Sequence, residues 1–138
     1  METEIKFRAK SKTTNKFIYG IPIKTHIGTY MVYEENPHVC YMYGYMEIDE
    51  FEQIDENTIG NPTGLKDKNG VEIFDGDWLI TDNKDMIIEV WYSEDKACWV
   101  GELIQPASPM VDFLSNFDIS DVTIIGNKYD NQELLNKK

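Results

Sequence analysis

The chain has 138 residues, and its 25 Asp and Glu against 13 Lys and Arg give a formal net charge of −12. This charge disfavours ordinary DNA or RNA binding, because affinity for a phosphate backbone depends on Lys and Arg. No run of about 18 apolar residues occurs, and the first residues lack the apolar segment of a signal peptide, so we expect a cytoplasmic protein without a membrane partner. Cys40 and Cys98 are then expected to be reduced thiols.

Apolar and polar residues alternate along most of the chain, as is typical of β-strands. In chain order, the pattern predicts a first hairpin from strands over 5–9 and 16–20, followed by a strand over 29–33. Pro22 and Gly28 are interpreted as interruptions between these strands. A further aromatic strand is predicted over 39–48, with Gly44 inside that run as a candidate for a bulge or bend.

Residues 60–79, GNPTGLKDKNGVEIFDGDWL, are the densest turn region. Asn61 to Gly64 predicts a chain reversal in which Pro62 fixes its own φ. Asp67 to Gly70 predicts a tight hairpin, because an Asn-Gly pair lies between apolar residues. Together with the Gly76 turn, these residues are interpreted as a structural turn motif and not as a binding site: Pro62, Gly64, Asp67, Asn69, Gly70, Gly76 and Asp77.

Three antiparallel strands are predicted over 78–81, 86–92 and 97–104, with turns at 82–85 and 93–96. A loop over 105–109, a helical turn over 114–120, a closing strand over 122–125 and a short helix or tail over 132–138 follow. An SH3-like barrel has this order of elements: a strand, a three-stranded meander, a short 3₁₀ turn and a final strand. The predicted fold is therefore mainly β, with N-terminal β-hairpins over 1–59 packed on an SH3-like β-barrel over 60–138, and few short helices.

Several ordered motifs are similar to those of a known family. They are Ile5 to Arg8, Phe17 to Ile21, the turn region 60–77, Val122 to Asn127, and Tyr129 with Glu133 and Leu134. In these residues the chain resembles the YopX family, small proteins encoded by phages and prophages of Gram-positive bacteria. The departures are Lys10 in place of Trp, Pro62 in place of an aromatic residue, and the aromatic insert around 41–45. Since the family has no established activity, the resemblance implies a fold and a phage setting.

Candidate chemical groups are present but do not form a recognisable constellation. No phosphate-binding loop or nucleophile elbow occurs, and 25 acidic residues make any one carboxylate pair uninformative. The soft-metal candidates are His26, His38, Cys40 and Cys98, and the oxygen-donor candidates are Asp67, Asn69, Glu72, Asp75 and Asp77. Packing and Asx turns account for both sets, so we predict no catalytic residue, no cofactor and no metal.

Two features suggest binding to protein. Tyr41, Tyr43 and Tyr45 would lie on one side of a regular strand, where they either cover a sheet face or form a protein-binding stripe. Acidic residues concentrate over 47–56 and 75–95, which indicates either a solvated face or a surface that mimics DNA. Trp91, Tyr92 and Trp99 are interpreted as cross-strand packing.

These observations together predict a non-catalytic phage or prophage accessory protein that acts through protein contacts. Its partner would be a host or phage protein, or a second copy of the chain in a homo-oligomer. Two alternatives remain open at this point. One is an acidic nucleic-acid mimic that inhibits a host protein, and the other is a carboxylate- or metal-dependent enzyme.

Overall fold

The computed structural model describes residues 6–33, 39–42, 45–48, 51–81, 86–106 and 110–131. The fold is mainly β, and the helical elements within these residues are 3₁₀ segments of three residues each. Contacts along the backbone divide the chain into two units, Met1–Asn61 and Pro62–Lys138. The sequence had suggested a boundary between residues 59 and 60.

The N-terminal unit is built from antiparallel strands. Its described strands are β1 (Phe7–Lys10), β2 (Phe17–Thr25), β3 (Gly28–Tyr33), β4 (Val39–Met42), β5 (Tyr45–Ile48) and β6 (Phe51–Gln53). One sheet has the order β1-β2-β3-β6, and β4 pairs with β5 in a separate ladder. A 3₁₀ segment, Glu56–Thr58, follows β6.

Strand β2 continues through Pro22, which the sequence had suggested as an interruption. Within the described residues, β1 pairs with β2 only from Phe17 to Gly20, whereas β3 pairs with β2 as far as Thr25. Pro22 therefore lies where β2 has a single described neighbour, and its missing N–H removes no hydrogen bond to β1. The first hairpin, β1 with β2, is confirmed.

One face of the N-terminal sheet carries a small core. The buried residues are Ala9, Met31 and Ile54, and the partly buried residues around them are Phe7, Ile18 and Ile59. The chain after β6 returns to β1, since Arg8 and Gly60 exchange backbone hydrogen bonds of 3.2 and 2.8 Å. Thr58 Oγ1 also accepts a 2.8 Å bond from the backbone N–H of Lys10. These bonds occupy the outer edge of β1 and so remove a free strand edge.

The C-terminal unit contains a five-stranded antiparallel sheet and a hairpin. Its described strands are β7 (Pro62–Lys66), β8 (Glu72–Phe74), β9 (Asp77–Ile80), β10 (Ile87–Ser93), β11 (Cys98–Gln105), β12 (Val111–Phe113) and β13 (Thr123–Asn127). The sheet order is β12-β11-β10-β9-β13, and β7 pairs with β8. Two 3₁₀ segments, Leu114–Asn116 and Ile119–Asp121, connect β12 to β13.

The core of this unit lies against one face of the five-stranded sheet. Its buried members are Ile73, Leu79, Ile88, Val90, Leu103, Leu114 and Val122. On β10, the buried Ile88 and Val90 alternate with Ile87 and Glu89, as expected for a strand with one face in the core. The three predicted central strands, the helical turn near residue 114 and the closing strand are thus confirmed.

The reversal predicted at Asn61 to Gly64 is wrong, because these residues enter strand β7. The ladder between β7 and β8 is irregular between Pro62 and Lys66, and Gly64 adopts a φ of 82° in that stretch. The Thr63 hydroxyl donates a 2.8 Å bond to the carbonyl of Ile73 and accepts one of 3.0 Å from the backbone N–H of Leu65. Hydrogen bonds of the Thr63 side chain therefore replace backbone hydrogen bonds between β7 and β8 in this stretch.

Other differences concern short elements. The three-residue strands β6 and β12 were not predicted, since their sequences are too short to show a period. Among the described residues, no pairing joins β12 to β13, so the sheet is open. The predicted turn at 82–85 and the tail at 132–138 lie outside the described residues, as does part of the loop at 105–109. No helix in the described part of the chain is long and apolar enough to cross a membrane.

Candidate functional site

The face of the N-terminal sheet opposite its core exposes a group of large apolar side chains, which we call the outer face. Its exposed members on the strands are Tyr19, Ile21, Ile23 and Phe51, and the partly buried Tyr30 and the buried Val32 lie among them. The register aligns Ile21 with Val32 and Val32 with Phe51, and it aligns Ile23 with Tyr30. Ile21 is 55% exposed and Phe51 is 51% exposed. The outer face is therefore a continuous apolar surface that the described residues leave open to solvent.

A groove lies at the hairpin end of the outer face. Its lining residues are Ile23, Thr25, His26, Ile27, Tyr30, Val32 and Phe51, and its volume is about 370 Å³. Tyr30 and Phe51 form its base as an edge-to-face pair with ring centroids 5.3 Å apart. The volume is near the lower end of ligand pockets, about 300–1,000 Å³. Apart from Thr25, His26 and the Tyr30 hydroxyl its lining is apolar, so this groove suits apolar side chains.

At the other end of the outer face, three cations lie over aromatic rings, and two of them, Arg8 and Lys10, are buried. Lys6 Nζ lies 5.7 Å from the centre of the Tyr19 ring. Arg8 and Lys10 lie over Phe17, with the guanidinium carbon and Nζ at 4.2 and 4.4 Å from the ring centre. Such cation–π contacts are worth about 0.5–2 kcal/mol each, depending on solvent exposure. The three cations thus lie over the rings of Tyr19 and Phe17. Among the described contacts, no cation lies over the ring of Phe51 at the other end.

The outer face was not found from the sequence, although a signal was present. Residues 17–23, FIYGIPI, are apolar at almost every position and do not alternate. A continuous apolar run is typical of a strand that is covered on both faces. In the structure, Ile18 packs against the core while Ile21 and Ile23 are exposed. The run therefore marks a strand whose second face is available for a partner.

The predicted tyrosine stripe does not lie on one strand. Tyr41 belongs to β4 and Tyr45 to β5, and the register pairs Tyr41 with Met46 and Met42 with Tyr45. Tyr43 lies outside the described residues. The prediction assumed one regular strand, whereas Tyr41 and Tyr45 lie on two antiparallel strands. A protein-binding role for these residues remains a prediction.

The turn motif is organised by hydrogen bonds to two buried carboxylates. Asp67 Oδ1 accepts 2.9 Å bonds from the backbone N–H groups of both Asn69 and Val71, and Oδ2 accepts a 3.2 Å bond from Ile124. Asp77 Oδ2 accepts a 2.8 Å bond from the backbone N–H of Phe74. The carboxylate of Asp67 therefore fixes the backbone of the β7–β8 hairpin, and that of Asp77 fixes the turn that leads into β9.

The glycines of this motif have the left-handed conformation that turns require. Gly70 adopts a φ of 80° and Gly76 a φ of 90°, a region that costs an L-residue about 1–2 kcal/mol. Gly70 closes the β7–β8 hairpin, since its N–H donates a 3.0 Å bond to the carbonyl of Asp67. The hairpin predicted from Asp67 to Gly70 is confirmed.

The pKa of Asp67 is lowered from its ordinary value of 3.8. Burial of the carboxyl group works in the opposite direction and would raise the pKa. The backbone hydrogen bonds from Val71, Ile124 and Asn69, together with the charge of Lys68, outweigh burial. Asp67 is therefore an ionised structural group at neutral pH and is unsuited to act as a general acid.

The metal candidates that the structure describes do not form a metal-binding cluster. Within the described residues, no group of three or more His, Cys, Asp or Glu side chains could hold a metal ion. His26 lines the groove of the N-terminal unit, and Cys98 is a free thiol on β11 of the other unit. His38 lies outside the described residues, and Cys40 is placed on β4.

The aromatic residues of the C-terminal sheet pack across strands. Tyr92 and Trp99 are directly opposed on β10 and β11, and their rings meet edge to face with centroids 5.4 Å apart. Trp91 is opposed to Val100 on the other face. Trp78, which sequence reasoning did not single out, is 1% exposed, and its Nε1 donates a 2.9 Å bond to Glu89.

These observations define a mainly β protein with an open apolar face and, in its described part, no cluster of catalytic or metal-binding groups. The chain belongs to the YopX family, whose model, described as YopX protein, matches residues 6–136. Among solved structures it is similar to protein EF1440 from Enterococcus faecalis. That crystal structure has 25% sequence identity and a TM-score of 0.64, and the match covers 97% of this chain and 99% of that one. No curated protein matches the sequence.

Proposed function

We propose that this chain is a non-catalytic protein–protein interaction module that binds its partner through the outer face of the N-terminal sheet. The observation that supports this proposal is the exposure of Ile21, Ile23 and Phe51 beside an apolar groove of about 370 Å³. Contiguous exposed apolar surface in a water-soluble protein marks an interaction site. The mixture of aromatic and aliphatic side chains also resembles the buried centre of protein interfaces.

The energetics of the outer face favour association over exposure. Burial of an Ile or Phe side chain from water stabilises a complex by about 1.5–3 kcal/mol. The exposed residues of the outer face supply several such anchors on a paired and therefore ordered sheet. An ordered surface loses little conformational entropy on binding, so a larger part of the burial energy contributes to affinity.

The setting that we infer is the cytoplasm of a Gram-positive host, because the YopX resemblance implies phage or prophage proteins. A non-catalytic role is supported by the use of Asp67 and Asp77 as hydrogen-bond acceptors for the backbone. We also infer that the C-terminal unit is SH3-like. The sheet order and the 3₁₀ segments between β12 and β13 support that inference, since they follow the strand order of such barrels.

The test is affinity capture from a Gram-positive host lysate with two variants of matched exposure. Ile21 is 55% exposed on the outer face, and Val71 is 53% exposed in the C-terminal unit. Ile21→Asp should lose the captured protein, whereas Val71→Asp should retain it, and circular dichroism should show that both variants are folded. Retention of every partner by Ile21→Asp would refute the proposal. If that retained partner were basic and released by salt, the acidic-mimic alternative would be favoured.

A further inference from the structure

Asn69 and Gly70 form the one Asn-Gly pair of the sequence, and both are exposed at the end of the β7–β8 hairpin. Asparagine is chemically labile, because its side-chain amide can be attacked by the backbone nitrogen of the next residue. Glycine hinders this attack least, since it has no Cβ. Among the described residues other than its chain neighbours, no atom lies within 4 Å of an ideal Cβ built at Gly70. The space around the attacking nitrogen is therefore open.

The reaction that this pair can undergo needs only water and a solvent base. The base removes the N–H proton of Gly70, and the nitrogen then bonds to Cγ of Asn69 while the side-chain amide leaves as ammonia. Water opens the resulting cyclic imide by breaking one of its two bonds to nitrogen. Cleavage of the bond to Cγ gives aspartate at position 69, and cleavage of the bond to the backbone carbonyl carbon gives isoaspartate. The net change consumes water and releases ammonia.

The closed hairpin opposes this attack. Gly70 N–H donates a 3.0 Å bond to the carbonyl of Asp67, and the N–H groups of Asn69 and Val71 each donate a 2.9 Å bond to Asp67 Oδ1. To attack, the Gly70 nitrogen must lose its proton and turn toward the Asn69 side chain, which breaks its bond to the carbonyl. The nitrogen would also become negative close to the carboxylate of Asp67, whose lowered pKa keeps it ionised.

We propose that Asn69 is a site of spontaneous deamidation and that the reaction requires local opening of the β7–β8 hairpin. Exposed turns open locally at a lower free energy than the whole fold, so the reaction does not need global unfolding. The isoaspartate product adds a carbon atom to the backbone between positions 69 and 70, which displaces the N–H groups of Gly70 and Val71 from Asp67. The modification therefore makes an opening of the hairpin permanent. This inference is independent of the proposed function.

Asn57 provides a control within the same chain. It is also exposed, and its N–H also donates a bond, of 3.0 Å, to the carboxylate of an aspartate two residues earlier, Asp55. The residue that follows it is Thr58, whose branched Cβ hinders attack by its own nitrogen. Asn57 should therefore react much more slowly than Asn69, whether the chain is folded or unfolded.

The test is incubation of the full chain at mildly alkaline pH, both folded and in urea above its unfolding transition. Peptide mass spectrometry follows the mass increase at position 69 with time, and fragment ions distinguish this position from other asparagines. A synthetic peptide of residues 66–72 in both buffers corrects for any effect of urea on the chemistry. After this correction, Asn69 should react faster in the unfolded chain by about tenfold or more, because local opening populates only a minor fraction of the folded molecules.

Variants assign the protection to the hairpin. Asp67→Asn should bring the folded-state rate at position 69 closer to the rate in urea and leave the rate in urea unchanged. Asp95→Asn, which makes the same change of charge at an exposed position of another turn, should change neither rate. Gly70→Ala should slow the reaction in urea, where its effect on folding plays no part.

The inference has two parts, and different results would overturn each. Absence of deamidation at Asn69 in the unfolded chain, or equal rates at Asn57 and Asn69, would contradict the modification site. Equal rates at Asn69 in the folded and unfolded chain would contradict control by the hairpin. If Asp67→Asn does not fold, this comparison within the natural chain still decides the question.

Discussion

Replacement of Asp67 by Asn should destabilise the C-terminal unit, because this carboxylate connects the β7–β8 hairpin to β13. Its two oxygens accept backbone hydrogen bonds from Asn69, Val71 and Ile124. The side chain is only 6% exposed, so water cannot readily replace lost bonds. An Asn amide would keep one acceptor oxygen, but its NH₂ group would face a third backbone N–H and leave that donor unsatisfied.

The size of the effect follows from the number and type of bonds. A hydrogen bond to a charged group contributes about 1.5–3 kcal/mol, and a buried donor left unsatisfied costs about 1–3 kcal/mol. Asp67→Asn should therefore cost about 2 kcal/mol, and Asp67→Ala, which removes all three acceptor contacts, about 4 kcal/mol. In a unit of this size, about 2 kcal/mol corresponds to a decrease in Tm of about 10 °C.

The assay is urea unfolding followed by tryptophan fluorescence, since Trp78, Trp91 and Trp99 all belong to the same unit as Asp67. The control is Asp95→Asn, which makes the same change of charge at an exposed turn position. We expect the control to change the free energy of unfolding by less than about 0.5 kcal/mol. Equal destabilisation by the two variants would refute the reasoning, because the effect would then come from charge and not from the backbone hydrogen bonds.

The same pair of proteins should show a defined pH dependence. The folded pKa of Asp67 lies below 3.8, so the ionised carboxylate contributes stability above the unfolded pKa. This contribution is lost as the pH falls through the folded pKa. The difference in free energy of unfolding between the natural chain and Asp67→Asn should be constant near neutral pH and should decrease below pH 3.8. A difference that is independent of pH would contradict ionisation of Asp67.

Four further substitutions test other parts of the fold by urea unfolding. Gly101→Ala should cost more than Gly70→Ala, because a Cβ at 101 would lie 2.9 Å from a phenylalanine ring whereas position 70 is open and only its φ is strained; we expect about 2 and 1 kcal/mol. Glu102→Gln should stabilise by about 0.2–1 kcal/mol, because Glu102 is directly opposed to Glu89. Thr58→Val should cost about 1–3 kcal/mol, because it leaves a buried N–H of β1 without its acceptor. The steric argument would be contradicted if Gly70→Ala lowered the free energy of unfolding more than Gly101→Ala. The other two arguments would be contradicted if Glu102→Gln lowered this free energy or if Thr58→Val left it unchanged.

The parts of the fold that the sequence predicted are those with local signals. The Asn69-Gly70 pair specifies the β7–β8 hairpin, because the left-handed conformation at Gly70 is favourable for few other residues. The strands β9, β10 and β11 follow from runs rich in β-branched and aromatic residues that are bounded by turn residues. The closing strand β13 follows from its apolar run and from the order of the preceding elements.

The parts that were not predicted depend on tertiary contacts. Strand β7 was mistaken for a turn because Pro62 and Gly64 are turn residues by preference, whereas the Thr63 side chain and the pairing with β8 keep the chain extended. Gly44 was interpreted as a bulge or bend within one strand over 39–48, because one glycine does not distinguish a bend from a full reversal, so the division into β4 and β5 was missed. The outer face could not be identified from the sequence, since a continuous apolar strand has the same pattern whether its second face is covered or exposed.

The net charge of −12 is the basis of both the expectation of no nucleic-acid binding and the alternative of an acidic mimic. Both stay predictions, because net charge is summed over the whole chain whereas a ligand meets one surface of it. Residues 6–33 contain six Lys and Arg and no Asp or Glu, yet Arg8 and Lys10 are buried and Lys24 lies 3.6 Å from Glu56. The charge that a surface presents therefore depends on tertiary contacts that a count of residues does not give.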